Sequence, residues 1–228
     1  MSTFVLIHGA ADTAWYWHLL QPELARRGGH DIVAMDLPCD DDSAGLADYA
    51  DTVVEAIGDR KNLVMVAQSF GGFTAPLVCE RVTVDLMVLV AAMVPAPSEA
   101  ADDYWSNTGY RSPQLDVEQR EGVSEEDAWS IAAFYHDVPP ELAAEALKRT
   151  RGQSETPGRE AWPLDKWPQV STRFLLCRDD RFFPAQWLRR VVKERLGITP
   201  DEIDGGHCIA LSRPKGLADQ LVKYADEA

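Results

Sequence analysis

The stretch that most constrains this chain is residues 62–72, NLVMVAQSFGG. Its apolar run is too short for a helix and ends at a serine followed closely by two glycines, after which an apolar, small-residue segment continues from Phe73 to Val78. This pattern predicts a buried strand, a sharp turn and a helix. A serine at the apex of such a turn has a strained backbone, and its hydroxyl lies at the helix N-terminus, where backbone N–H groups point outward. Ser69 is therefore a candidate nucleophile.

The five residues AQSFG around Ser69 match the nucleophile-elbow pattern G-x-S-x-G, except that Ala67 replaces the first glycine. The flanking residues must be small because the strand and the helix nearly collide there, and alanine meets that need. A Ser/Gly turn in any α/β protein is the alternative interpretation of these five residues alone. The remainder of the chain decides between the two.

Composition limits the class of protein. With 228 residues, 46% of them hydrophobic, the chain is predicted to form one domain with a full core. A formal net charge of −15 argues against nucleic acid and against anionic membranes as partners. The N-terminus shows neither a signal peptide nor a membrane span, so a cytoplasmic protein is expected. The cysteines have no C-x-x-C spacing, which predicts reduced thiols rather than a zinc site or disulfides.

Apolar runs alternate with segments of helical spacing along most of the chain, which predicts a parallel sheet with helices on both faces. The regularity breaks from residue 95 to about 168, a segment rich in proline and aromatic residues. Besides the strand before Ser69, predicted strands cover residues 4–7, 32–35, 85–91, 173–177 and 200–203. Besides the helix after Ser69, predicted helices cover residues 15–27, 46–57, 125–135, 140–148, 184–195 and 214–224.

Reactive or small residues follow four of the predicted strands at their carboxyl ends, where parallel sheets bind ligands. In chain order they include a serine, an aspartate and a histidine. A serine is a weak nucleophile until an imidazole takes its proton, and the imidazole needs a carboxylate to fix its tautomer. The four loops carry His8-Gly9-Ala10, Gln68-Ser69-Phe70-Gly71, Arg178-Asp179-Asp180-Arg181 and Asp204-Gly205-Gly206-His207.

Spacing alone leaves open whether Asp179 or Asp180 would meet His207. A histidine or an aspartate by itself is more often a surface residue, and the combination at equivalent strand ends is what favours catalysis. Of the other histidines, His136 lies beside Asp137 in the irregular segment, where a structural hydrogen bond is the favoured interpretation.

These motifs together resemble the α/β-hydrolase superfamily, specifically the small esterase branch that includes plant methylesterases and hydroxynitrile lyases. The resemblance covers nearly the whole chain. Four ordered motifs carry it: FVLIHGA at 4–10 with tryptophans at 15 and 17, AQSFGG at 67–72, DRFFP at 180–184, and GH at 206–207 with LSRP at 211–214.

The resemblance implies a nucleophile at Ser69, a general base at His207 and an orienting acid at Asp180. It also implies an oxyanion hole made by the backbone N–H groups of Ala10 and Phe70. No cofactor and no metal are implied. Asp179 is then expected to be a solvated charge or the partner of an arginine.

The implied fold is an α/β-hydrolase fold with a mostly parallel sheet of about six strands, because the chain starts too late for the two N-terminal strands of the full fold. Residues 1–94 and 169–228 would form the core, and residues 95–168 a helical cap inserted between them. Aromatic residues of the cap favour a small apolar or aromatic ester as the substrate. The sequence leaves a homodimer open.

Three functions are consistent with this fold. The first is hydrolysis of a carboxylic ester, or a related lactone or thioester, through an acyl-serine intermediate. The second is a lyase of the hydroxynitrile type; that branch carries a lysine where this chain has Cys208 and a threonine where it has Gly9, which counts against it. The third is a noncatalytic ligand-binding or receptor protein.

Overall fold

The structure is a computed structural model, and it describes residues 1–118 and 122–228. The described residues form six strands in a single sheet, and every neighbouring pair is parallel. The predicted parallel sheet of six strands is thereby confirmed. The strands are β1 (Thr3–Ile7), β2 (Asp31–Ala34), β3 (Leu63–Ser69), β4 (Leu86–Ala92), β5 (Ser171–Cys177) and β6 (Asp201–Ile203).

Ten α-helices connect or flank these strands within the described ranges. They are α1 (Leu20–Gly28), α2 (Leu46–Ile57), α3 (Gly71–Cys79), α4 (Ala101–Asn107), α5 (Glu125–Ala133), α6 (Pro140–Arg149), α7 (Thr156–Arg159), α8 (Ala185–Leu196), α9 (Ile209–Ser212) and α10 (Pro214–Glu227).

The spatial order of the strands is β2-β1-β3-β4-β5-β6. The chain moves outward from β1 to β2 and then returns to β3 on the other side of β1, so the order reverses between β1 and β3. Ile7 at the end of β1 pairs with Ala67 of β3. The loop after β1 therefore lies beside Ser69, at the position where open α/β sheets bind ligands.

Both faces of the sheet are covered, which explains why its strands are apolar throughout rather than alternating. Val5 and Ile7 of β1 pack into the cluster that includes α2, α3 and α8, whereas Phe4 and Leu6 pack into the cluster that includes α1 and α10. Successive side chains of a strand point to opposite faces, so a run such as FVLI supplies both cores.

The predicted helix over residues 15–27 is divided in the structure. A 3-10 turn covers Ala14–Trp17, and α1 then begins at Leu20. Pro22 lies in the first turn of α1, where its missing N–H costs nothing, and it could not continue a helix begun several residues earlier.

The segment from residue 95 to 168 leaves the sheet after β4 and returns at β5. Its described residues hold the four helices α4 to α7 and no strand. An isolated antiparallel bridge joins Ala100 to Ala161 and brings the two ends of the segment together. The helices α4 and α7 were not predicted, because both are short and α4 is mostly polar on its exposed positions. In the parts of the chain that the structure describes, no helix is both long and apolar enough to cross a bilayer.

Two consecutive glycines begin α3 because neighbouring backbone lies against them. A Cβ added to Gly71 would lie 2.9 Å from the carbonyl oxygen of His8, and one added to Gly72 would lie 1.9 Å from that of Met93. These carbonyls belong to the loops after β1 and β4. The glycines therefore allow the turn after Ser69 to fit between its two neighbouring strands.

We expect Gly72→Ala to lower the free energy of unfolding by at least about 3 kcal/mol, because the new methyl group would overlap backbone that has little freedom to move. Gly216→Ala is the matched control. Gly216 lies exposed in α10, and the nearest atom to an added Cβ is 3.9 Å away, so this change should stabilise by about 0.5 to 1 kcal/mol. Urea unfolding of the three proteins measures both effects, and equal stabilities for Gly72→Ala and the parent chain would contradict this account.

Candidate active site

Ser69 occupies the turn between β3 and α3 with a φ of 51°, in the left-handed region that non-glycine residues rarely adopt. The pairing of β3 with β4 shifts register between Gln68 and Ser69, and the backbone N–H of Met93 donates to the carbonyl of Ser69 at 2.9 Å. The surrounding backbone thus holds the strained conformation. Ser69 lines a cavity of about 510 Å³.

Asp180 and His207 are hydrogen-bonded to each other. The Nδ1 atom of His207 donates to Oδ2 of Asp180 at 2.8 Å, and both side chains are buried. The other carboxylate oxygen, Oδ1, accepts from the backbone N–H groups of Phe182 and Phe183, each at 2.8 Å. Three donors therefore fix the Asp180 carboxylate, and it in turn fixes the orientation of the imidazole.

His207 also lines the cavity that contains Ser69. Its ring packs against three phenylalanine rings, with centroid distances of 5.3 Å to Phe134, 5.4 Å to Phe182 and 5.0 Å to Phe183. The structure thus brings the predicted serine and histidine to one cavity wall and pairs the histidine with the predicted aspartate. Their catalytic roles remain predictions.

Asp179 is exposed, which agrees with the solvated charge expected for it. Its Oδ2 also accepts a hydrogen bond from the backbone N–H of Gly205, at 3.0 Å. Its own backbone N–H donates to the carbonyl of Gly205 at 3.0 Å. The loops after β5 and β6 run side by side, so the exposed Asp179 can reach the neighbouring backbone.

The dipeptide His136-Asp137 ties the inserted segment to both of these loops. The Nε2 atom of His136 lies 2.9 Å from the carbonyl oxygen of Asp179, and Oδ2 of Asp137 accepts from the N–H of Gly206 at 2.8 Å. These are structural hydrogen bonds, as the sequence favoured. The sequence did not indicate the partners of these two residues, because the hydrogen bonds join residues 43 and 69 positions apart.

His8 is fully buried in the loop after β1 and takes a structural position. Its Nε2 accepts from the backbone N–H of Leu37 at 3.0 Å, so Nδ1 carries the proton and donates to the carbonyl of Gly9 at 2.7 Å. Burial lowers the pKa of His8 to about 4, against the raising effect of the hydrogen bond to Gly9. A neutral His8 thus connects the loop after β1 to the segment after β2.

The two residues predicted to form the oxyanion hole, Ala10 and Phe70, line the same cavity as Ser69. The loop that carries Ala10 is held by the inserted segment, since the N–H of Ala11 donates to Oε1 of Gln153 at 2.9 Å and the N–H of Arg151 donates to the carbonyl of Ala11 at 2.9 Å. The function of Ala10 and Phe70 as donors to a substrate stays a prediction.

Glu99 follows β4 and is an alternative candidate for the orienting acid, but its carboxylate forms an ion pair with Arg195. Burial acts to raise its pKa, but hydrogen bonds from Arg195, from Asn107 and from the N–H of Ala96 outweigh burial and hold the pKa below its ordinary value. Glu99 is an ionised partner of Arg195 in the interior.

Some aromatic residues of the inserted segment lie in the core and others line the cavity, and the sequence could not tell which. Tyr104 and Trp162 are fully buried in the core beneath the segment. Trp105, Phe134 and Tyr135 line the cavity over Ser69. Over the described ranges, no group of three or more histidine, cysteine, aspartate or glutamate side chains is placed to hold a metal ion.

The fold agrees with comparisons to known proteins. Residues 4–220 match the family described as the alpha/beta hydrolase family. The chain belongs to this family. The predicted family and fold class are thereby confirmed.

Relatives and solved structures of similar length exist. The chain is 25% identical to norfluorocurarine synthase 1 of Strychnos sp over 255 residues, which cover 98% of this chain and 95% of that protein. It is 25% identical to methylesterase 7 of Arabidopsis thaliana over 259 residues, covering 98% and 96%. A crystal structure of polyneuridine aldehyde esterase superposes with a TM-score of 0.82 over 99% of this chain and all of that one, at 21% identity.

We predict that Asp180→Asn lowers kcat by about 10³ to 10⁴, because the amide cannot hold His207 in the required tautomer. Asp179→Asn should change kcat by less than about tenfold, since an amide oxygen can still accept from the N–H of Gly205. Steady-state kinetics on an activated ester measure both, with melting temperatures to show that each variant folds. If the two effects were exchanged, Asp179 rather than Asp180 would be the orienting acid.

Proposed function

We propose that this protein is a serine hydrolase that cleaves a carboxylic ester, or a related lactone or thioester, of a small and largely apolar substrate. The observation that carries the proposal is the Asp180–His207 hydrogen bond in the cavity that Ser69 also lines. Membership of the alpha/beta hydrolase family and similarity to proteins named as esterases support it.

The reaction would proceed through an acyl-serine intermediate. Nε2 of His207 takes the proton of the Ser69 hydroxyl as its oxygen attacks the substrate carbonyl, and Asp180 stabilises the imidazolium that forms. The N–H groups of Ala10 and Phe70 bind the oxyanion. Collapse of the tetrahedral intermediate breaks the ester bond, and the imidazolium gives its proton to the departing alkoxide. Water then repeats both steps and releases the acid.

A small, largely apolar substrate is supported by the size and lining of the cavity. Its volume of about 510 Å³ suits a molecule of moderate size, and Trp105, Phe134, Tyr135 and Phe182 provide aromatic surface on its walls. Such surface binds apolar groups and excludes the water that would otherwise solvate the reacting carbonyl.

Cyanohydrin cleavage is disfavoured by the two positions at which the lyases differ. A Cβ at Gly9 would lie 2.5 Å from Oε1 of Gln68 and 3.0 Å from Cβ of Ser69, so a threonine there would require the Gln68 side chain to move. Cys208 is buried, and burial raises the pKa of its thiol, so it is neutral and provides no charge for a cyanide anion. The third hypothesis, a noncatalytic receptor, is tested by covalent chemistry at Ser69.

A fluorophosphonate should label the wild-type protein, and Ser69→Ala should abolish both the labelling and ester hydrolysis, the latter by about 10⁴- to 10⁶-fold. Ser106→Ala is the control, because Ser106 is exposed on α4 and the one hydrogen bond of its hydroxyl within the described ranges goes to the carbonyl of Asp103. Mass spectrometry of the labelled peptide identifies the site. Labelling that persists in Ser69→Ala would contradict the assignment, and an unlabelled wild-type protein would favour the receptor.

Esterase and lyase activities are expected to separate on simple substrates. Hydrolysis of short acyl esters should be measurable, whereas cleavage of mandelonitrile should not exceed its uncatalysed rate, because no cation lies next to His207 where the lyases carry lysine. A cyanide assay run beside an ester assay on the same preparation tests this. Rapid cyanide release would reverse the order of the two hypotheses.

A further inference from the structure

Asp12 is a carboxylate that the proposed reaction does not use. It lies two residues after Ala10, in the loop after β1, and lines the same cavity as Ser69 and His207. Its Oδ1 accepts a hydrogen bond from the N–H of Thr13 at 2.8 Å. Among the described residues no lysine or arginine pairs with it. Asp12 is half-buried, and within the described residues its other carboxylate oxygen has no hydrogen-bond donor. That oxygen is therefore available to a ligand in the cavity.

The surroundings of Asp12 make its negative charge poorly solvated. Burial foremost, and then the charge of Asp36, raise its pKa to about 6, while the N–H of Thr13 acts in the opposite direction. The phenols and thiols around Asp12 are neutral at pH 7 to 8, because burial raises their pKa values. The titratable groups that face Asp12 are Asp36, Tyr16, Cys39, Tyr135 and Cys208.

The rest of the cavity also favours positive charge. Asp12 shares the lining with four further carboxylates, and Arg151 is the cationic side chain among the described lining residues. The Arg151 guanidinium is already engaged by the Asp40 carboxylate and the carbonyl of Leu37. The aromatic faces around Ser69 attract cations as well as apolar groups. The four further carboxylates are Asp102, Glu126, Asp127 and Glu155.

We infer that the substrate carries an ammonium group close to the reacting carbonyl, and that Asp12 binds this group. The inference rests on the proposed ester hydrolysis and narrows its substrate class to cationic esters. Asp12 lies two positions after Ala10, so the Cα atoms of the two residues are at most about 7 Å apart. The ammonium nitrogen should therefore lie only two or three carbon atoms from the ester group.

A pair of isosteric esters tests this directly. Butyrylcholine and 3,3-dimethylbutyl butyrate have the same shape, but the first has a quaternary nitrogen where the second has a carbon. At pH 8 and low salt, we expect kcat/KM to be at least about tenfold higher for the cationic ester. Phenyltrimethylammonium should likewise inhibit hydrolysis of the neutral ester more strongly than tert-butylbenzene does. This comparison holds whether the ammonium group of the substrate is on its acyl side or on its alcohol side.

The preference for the cationic ester should decrease as the pH is lowered. Asp12 is ionised above its pKa of about 6 and neutral below it, so the ratio of the two kcat/KM values should fall as the pH is lowered from 8 to 5. Both esters need the same protonation state of His207, whose effect therefore cancels in the ratio.

Asp12→Asn should bring the ratio close to one while hydrolysis of the neutral ester is retained, because an asparagine can still accept from the N–H of Thr13. Asp102→Asn is the matched control. It removes the same charge from an exposed position at the edge of the cavity, and it should change the ratio by less than about twofold. If Asp12→Asn does not fold, the pH dependence of the wild-type ratio and the inhibition by phenyltrimethylammonium still decide the question.

The outcomes distinguish this inference from the function on which it rests. Equal rates for the two esters together with equal inhibition by the two small molecules would overturn the inference and leave ester hydrolysis standing. A loss of selectivity in Asp102→Asn as large as in Asp12→Asn would assign it to the general field of the cavity and overturn the role of Asp12. Failure to cleave either ester, with Ser69 unlabelled by a phosphonate, would instead overturn the proposed function.

Discussion

The rest of the site depends on a close backbone contact at the junction of β3 and α3. Gly71 and Gly72 lie against the carbonyls of His8 and Met93, at distances that no side chain would allow. Because the loops after β1 and β4 can approach this closely, Ser69 is held at a φ of 51° and faces the cavity at the start of α3. The sheet order places β1 and β4 on either side of β3, and that order is what makes the contact available.

The loop that carries His207 is positioned mainly by carboxylates. Asp180 accepts from the His207 ring, Asp179 from the N–H of Gly205, and Asp137 from the N–H of Gly206. Each carboxylate fixes a different atom of a short segment, so the imidazole is held through its ring and through the backbone that precedes it. Two of the three carboxylates follow β5 and one comes from the inserted segment, which couples the packing of that segment to the geometry of His207.

Local patterns predicted the strands, most of the helices and the elbow, because strand and helix periodicity and the glycines near Ser69 are local properties. The order Ser, Asp, His could also be recognised, but spacing alone could not choose between Asp179 and Asp180. That choice depends on the turn in which the N–H groups of Phe182 and Phe183 hold one oxygen of Asp180 and leave the other for His207. The place of Asp137 and the division of the aromatic residues between core and cavity depend on contacts between distant segments, and no local pattern indicates them.

The four carboxylates near the site differ in how their charge is compensated, and this difference separates structural from ligand-binding candidates. Asp180 has three donors, whereas Asp137 and Asp179 each hold a glycine N–H that orders the His207 loop. Asp12 likewise has one backbone donor, but it alone of these four lines the cavity, where burial and the charge of Asp36 raise its pKa. A charge that folding leaves under-compensated in a substrate cavity costs free energy unless a ligand supplies the opposite charge. A strongly negative net charge does not by itself predict that a protein binds cations, because exposed carboxylates are solvated and screened by salt. A half-buried carboxylate that lines the cavity and has no cationic partner among the described residues can distinguish a cationic ester from its neutral isostere.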